Sequence, residues 1–154
     1  MVPSPSTGGG RSNSTSGGQE PSGVMAPRKE TPMEHAEMLK VVDGYVSAYN
    51  SRDFEGILAM FAAEATMEDP VGEPPARGEE EIRALYKIGF DMGVTIELDG
   101  RVRTAASNAA FPLCATSENG KLYVIDLFEF NEEGKIIRMR AFWSRDNLDG
   151  EMDI

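Results

Sequence analysis

From Met38 to Tyr49 apolar residues recur every three or four positions, as Met38, Leu39, Val42, Tyr45, Val46 and Tyr49. From Val94 onward the recurrence shortens to every second position. The first spacing predicts a helix with one buried face; the second predicts strands. Thr31-Pro32-Met33-Glu34 reads as the helix start, with Thr31 as N-cap, Pro32 in the first position and Glu34 closing a capping box. Asn50-Ser51-Arg52 breaks that helix, and Asp53 caps a short second one through Phe54, Ile57, Leu58 and Phe61. Ala65, Met67 and Asp69 then share one side of a short strand, because Pro70 holds Asp69 extended. After the Pro/Gly-rich loop of residues 71–77, a third helix runs from about Glu79 to Phe90, with Glu79, Glu80 and Glu81 at its favourable N-terminal end.

Strands follow at Val94–Val102, Ala109–Ala115, Leu122–Phe130 and Ile136–Phe142. Asn119-Gly120 and the Asn131 to Gly134 segment are the hairpin turns between them. Helices followed by antiparallel strands define an α+β domain: three N-terminal helices on a curved, mostly antiparallel sheet, enclosing a conical apolar pocket. One residue breaks the strand pattern. Asp126 shares its face with Leu122, Val124, Phe128 and Phe130. A carboxyl group among hydrocarbon is costly to ionise, so its pKa rises and it becomes an O–H donor. Such a donor suits a developing negative charge.

Composition narrows the picture. Residues 1–30 are rich in Ser, Gly and Pro with almost no large apolar side chain, which predicts a disordered tail; residues 31–154 then form the single domain. A start at Met25 or Met33 is the other reading of that tail. The net charge is −11, and residues 31–154 hold 12 basic and 24 acidic side chains. That balance argues against nucleic acid and anionic membrane as partners. No segment reads as a signal peptide or a membrane span. The single cysteine, Cys114, excludes an internal disulfide framework and fits a reducing cytoplasm. With one histidine, His35, and no Cys/His cluster, a zinc site or a Ser-His or Cys-His nucleophile has no support.

The segment FAAEATMEDPVGEPPARG at positions 61–78 resembles the signature of the steroid Δ-isomerases (Δ5-3-ketosteroid isomerases), within the wider nuclear transport factor 2-like fold family. The resemblance continues through Ile82 to Tyr86, Val124-Ile125-Asp126, and Met139 to Ser144, covering roughly residues 38 to 148. It implies the cone-shaped fold and specific roles. The family's catalytic tyrosine falls on Tyr45, its general base on Asp69, and its protonated hydrogen-bonding aspartate on Asp126. That neutral acid is the family's known feature, whereas the apolar face around Asp126 is read from this chain. A supporting tyrosine that hydrogen-bonds the catalytic one falls on Tyr86. Val94, Leu113, Val124, Met139 and Trp143 fall on the pocket wall. Met139 and Trp143 share their strand face with Ile137 and Ala141 if pairing is regular. The implied substrate is a ketosteroid, with no metal or cofactor, in a homodimer packing sheet against sheet. The hairpin at Ser117-Glu118-Asn119-Gly120 is shorter than is usual in the family, altering one rim of the pocket.

Each residue also has a plainer reading. An aspartate before proline is commonly a turn former. A helical tyrosine is commonly core, and Tyr49 reads as core or rim. Asp126 alone would suit a structural ion pair with Arg138 or Arg140, except that these arginines alternate onto the opposite face. Glu68 points away from the pocket, and Cys114 reads as a small core residue. Their joint occurrence at family spacing favours the isomerase. A polyketide cyclase or epoxide hydrolase on the same fold, or a binding module without turnover, are the competing readings.

Overall fold

The computed structural model describes residues 31–154; the tail expected over residues 1–30 lies outside them. Three helices, α1 (His35–Asn50), α2 (Phe54–Leu58) and α3 (Gly78–Asp91), accompany an eight-stranded sheet among the described residues. The strands are β1 (Phe61–Glu68), β2 (Ala76–Arg77), β3 (Thr95–Leu98), β4 (Arg103–Ala105), β5 (Asn108–Thr116), β6 (Gly120–Phe130), β7 (Ile136–Phe142) and β8 (Leu148–Gly150). The sheet runs β2-β1-β7-β6-β5-β3, with β4 also pairing β5 and β8 also pairing β6. All pairings are antiparallel except β1 with β7. The architecture is the α+β cone, with β1 and β2 inserted before α3.

Alternation along β6 sets the two faces of the sheet. Leu122, Val124, Asp126, Phe128 and Phe130 are buried, while Lys121, Tyr123 and Ile125 are exposed. The core is knitted by edge-to-face aromatics: Phe128 meets Phe111 and Tyr45, each at 5.0 Å between ring centroids. Full burial of one such phenylalanine contributes about 1.5–3 kcal/mol. On the opposite face Arg138 pairs with Glu68 (3.2 Å) and Glu129 (3.5 Å), and Arg140 with Glu68 (3.6 Å). Neither arginine therefore reaches Asp126. Asn50, the last residue of α1, bonds both backbone groups of Ile96 on edge strand β3, each at 2.8 Å. This side chain completes the ladder that an edge strand leaves open.

The structure corrects four local expectations. Helix α1 begins at His35 rather than at Pro32, and its N-cap Glu34 makes no side-chain cap. The Met33 N–H donates to Ser107 Oγ at 3.0 Å, and this long-range bond wins over the local capping box. Phe61 leaves α2 for the sheet, where it pairs with Ile136 on β7, while Asp53 does cap α2 through Gly56 N at 2.9 Å. The strand expected over Val94–Val102 is confined to β3, Thr95–Leu98. The chain leaves the ladder near Gly100, which lies against Pro112 where a Cβ would stand 2.9 Å from Cγ, and β4 begins beyond the expected span at Arg103. Finally, pairing across β6 and β7 shifts between Glu129 and Phe130. That bulge buries Ile136 instead of Ile137, so Ile137 leaves the face that holds Met139 and Ala141.

Candidate active site

The inner face of the sheet and the facing helices enclose a cavity of about 250 Å³. Tyr45, Tyr86, Asp69, Asp126, Val94, Leu113, Val124, Met139 and Trp143 all line it. The fold thus brings together every residue that the sequence placed at the site.

Tyr45 reaches the cavity from α1, whose buried face also carries Met38, Val42, Ala48 and Tyr49. Its hydroxyl lies 2.9 Å from that of Tyr86 on α3, and both side chains are buried. Burial is the main cause that raises both tyrosines well above the ordinary value, with the Asp126 carboxyl adding to each. They remain neutral donors. Asp126, only 3% exposed, projects from mid-β6 opposite Phe111 on β5 and Ala141 on β7. The small Ala141 leaves its carboxyl open to the cavity, and no cation or hydrogen-bond donor satisfies it within the described residues. Burial first, and the Asp69 charge second, raise its pKa well above the usual carboxylate range.

Asp69 follows the last residue of β1, where the next segment is tied to β7 by Val71 N donating to Ala141 O at 2.8 Å. Its Oδ1 accepts the indole N–H of Trp143 at 2.5 Å. Burial raises its pKa and the Trp143 bond opposes that rise. The cavity therefore brings the bonded Tyr45 and Tyr86 hydroxyls and the unpartnered Asp126 carboxyl together with the Trp143-bonded carboxyl of Asp69. Apolar side chains make up most of the remaining lining, with Tyr49 and Asp153 also present. Among the described residues no group of three His, Cys, Asp or Glu side chains is placed to hold a metal ion.

Sequence reasoning missed part of the wall. Met152, Asp153 and Ile154, after β8, also line the cavity, and the carbonyl of Ile154 accepts from Arg145. Alternation of Met152 and Ile154 was the available signal, but three residues are too few for a periodicity to be read. Tyr49, read as core or rim, also faces the cavity.

An α+β cone with an apolar, carboxylate-bearing interior defines a small-molecule enzyme or binding class. The SnoaL-like domain pattern matches residues 42–139, and the chain belongs to that family. It is 37% identical over 113 residues to the steroid Delta-isomerase of Nocardioides simplex, covering 71% of this chain and 91% of that protein. It is 28% identical over 109 residues to the epoxide hydrolase LasB of Streptomyces lasalocidi, matching 64% of this chain but 38% of LasB. Among solved structures it resembles the epoxide hydrolase/cyclase-like enzyme SalBIII, which has a role in pyran ring formation in the polyether salinomycin. The TM-score is 0.72 at 28% identity, over 77% of this chain and 98% of that one. These relatives are enzymes. No helix among the described residues is long and apolar enough to cross a membrane.

Proposed function

We propose that this protein is a steroid Δ-isomerase, moving a carbon–carbon double bond of a Δ5-3-ketosteroid into conjugation with the ketone. The observation that carries the reading is the hydrogen-bonded Tyr45–Tyr86 pair beside buried Asp126, in one cavity with Asp69. In the proposed mechanism the Asp69 carboxylate removes a proton from the carbon alpha to the carbonyl. Electrons shift onto the carbonyl oxygen to give a dienolate, and Asp69 returns the proton two carbons along. Tyr45 and neutral Asp126 donate to the dienolate oxygen, where charge grows most. Water exclusion by the apolar wall strengthens both bonds. Burial makes Asp69 a stronger base, while the Trp143 bond opposes that rise and favours the ionised form. The chemistry requires only these side chains.

The epoxide hydrolase and cyclase relatives support a second reading, in which neutral Asp126 protonates an epoxide oxygen and Asp69 activates the attacking oxygen. The Tyr45–Tyr86 pair favours the isomerase, because it adds a second donor where an enolate oxygen needs two. Mixing purified protein with a Δ5-3-ketosteroid and following the conjugated enone by absorbance tests the choice. Rapid conversion that is lost in Asp69→Asn supports the isomerase; tight binding without conversion turns the reading to an epoxide or polyketide substrate, or to a carrier.

The working unit in this proposal is a homodimer. Ile125 and Phe142 lie directly opposite each other on the outer sheet face, 45% and 41% exposed, with Tyr123 (41%) beside them. An apolar cluster of this kind, flanked by charged residues, suits a second copy of the chain. The single cysteine, Cys114, is buried and unpaired, which suits the cytoplasm.

A further inference from the structure

One polar group in the cavity has no part in the proposed chemistry. Tyr49 stands one turn after Tyr45 on α1, about 6 Å further along the helix axis. Its ring centroid lies 6.4 Å from that of Tyr45 and 6.1 Å from that of Tyr86, so the three rings form a near-equilateral triangle. Two hydroxyls of that triangle bond each other, and the third bonds nothing among the described residues.

The position of the third hydroxyl is built rather than incidental. Phe90 packs edge-on against the Tyr49 ring at 5.0 Å, and the Arg52 guanidinium lies 5.8 Å from its centroid. The hydroxyl itself rests against Gly89 of α3, where a Cβ would stand 2.3 Å from it. Glycine is a poor helix former, so its presence within α3 is explained by the room this hydroxyl takes. Burial pushes the Tyr49 hydroxyl up to about 12; Arg52 lowers it, and Asp69 and Asp126 raise it. At neutral pH it keeps its proton and is available as a donor.

We propose that Tyr49 is a second ligand-binding donor, separate from the Tyr45–Asp126 pair, and that the natural substrate carries a second oxygen function facing it. This rests on the proposed function, because it takes the reactive carbonyl to occupy the Tyr45–Asp126 end. A donor with no protein partner in an apolar cavity discriminates strongly, since a ligand lacking the matching acceptor leaves it unpaired. Tyr49 therefore acts as a specificity-determining residue for a dioxygenated ketone rather than for a ketone with one oxygen.

Binding of planar phenols tests this without turnover. The probes are 2-naphthol, whose single oxygen mimics the dienolate oxygen, and the set of dihydroxynaphthalenes that add a second hydroxyl at different positions. Fluorescence titration is run on the wild type, Tyr49→Phe and Gly89→Ala. At least one dihydroxynaphthalene is expected to bind the wild type about 3- to 10-fold more tightly than 2-naphthol, the size of one neutral hydrogen bond. Tyr49→Phe should erase that advantage while leaving 2-naphthol affinity unchanged, which also reports an intact fold. Gly89→Ala should do the same by displacing the hydroxyl. The same isomer preference in Tyr49→Phe as in the wild type would overturn the proposal. Loss of 2-naphthol binding from every protein, the wild type included, would instead bring down the oxyanion reading on which it stands.

Discussion

The indole N–H of Trp143 donates to Asp69 across 2.5 Å, joining the residue after β7 to the residue after β1. The bond fixes the carboxylate on the cavity wall and opposes the rise in pKa that burial imposes. Trp143→Phe keeps an aromatic wall and removes the donor, so the Asp69 pKa should rise further. The proposed base must be ionised to act, and the acid limb of the kcat/KM–pH profile reports that ionisation in the free enzyme. The limb is expected to move to higher pH, with activity restored as pH increases. An unmoved limb would show that the bond does not control the base.

Asp69→Asn removes the proposed base while preserving the shape of the side chain. Isomerisation of a Δ5-3-ketosteroid should fall by roughly 10²–10⁴-fold or more. Binding of the conjugated product, followed by equilibrium titration, should remain close to wild type.

The donor pair should show a graded response. Tyr45→Phe and Asp126→Ala are each expected to cost about 10²–10³-fold in kcat. Asp126→Asn should cost less than Asp126→Ala, because an amide still donates. The reverse order would argue against a donor role for Asp126.

Asp126 also carries a signature in stability. Its folded-state pKa lies well above the ordinary 3.8, so the folded state holds this proton more tightly than the unfolded chain does. An acid shifted upward makes unfolding easier as pH rises from the unfolded value toward the folded one. Asp126→Asn has no proton to lose. The variant should therefore be more stable than wild type near neutrality, and its advantage should shrink as pH falls toward 4. Denaturant midpoints measured across that range check the sign. A constant difference between the two proteins would contradict an upward shift.

Ile125→Lys places a charge at the centre of the outer apolar cluster, opposite Phe142. Sedimentation velocity is expected to show a dimer for the wild type and a monomer for the variant. Persistence of the dimer would exclude this face as the contact.

Much of the site was legible in the sequence because β6 obeys a strict two-residue alternation. That alternation sets Asp126 inside, and the alternation along β7 sets Arg138 and Arg140 outside. Helical and strand periodicity turned Tyr45 and Asp69 inward, and the family spacing gave them roles and added Tyr86. What stayed hidden depends on contacts between distant segments. The Thr31-Pro32 start gave way to a bond from Met33 to Ser107, 74 residues away. Ile137 was displaced by a bulge whose cause lies in the pairing with β6. Tyr49 looked like core because its opening to the cavity depends on a glycine on another helix. Short elements such as β8 carry too few residues to announce themselves.

The parallel pairing of β1 with β7 has a consequence for when Asp69 and Trp143 come together. Asp69 and Trp143 are 74 positions apart, and the strands that precede them meet only after the intervening chain has looped around. Closing so long a loop costs entropy that no local contact returns, and contacts of this separation slow folding. During synthesis Asp69 exists early, but its partner Trp143 emerges only when β7 has been completed. A nascent chain therefore carries Asp69 without the indole that steadies it until β7 has been made.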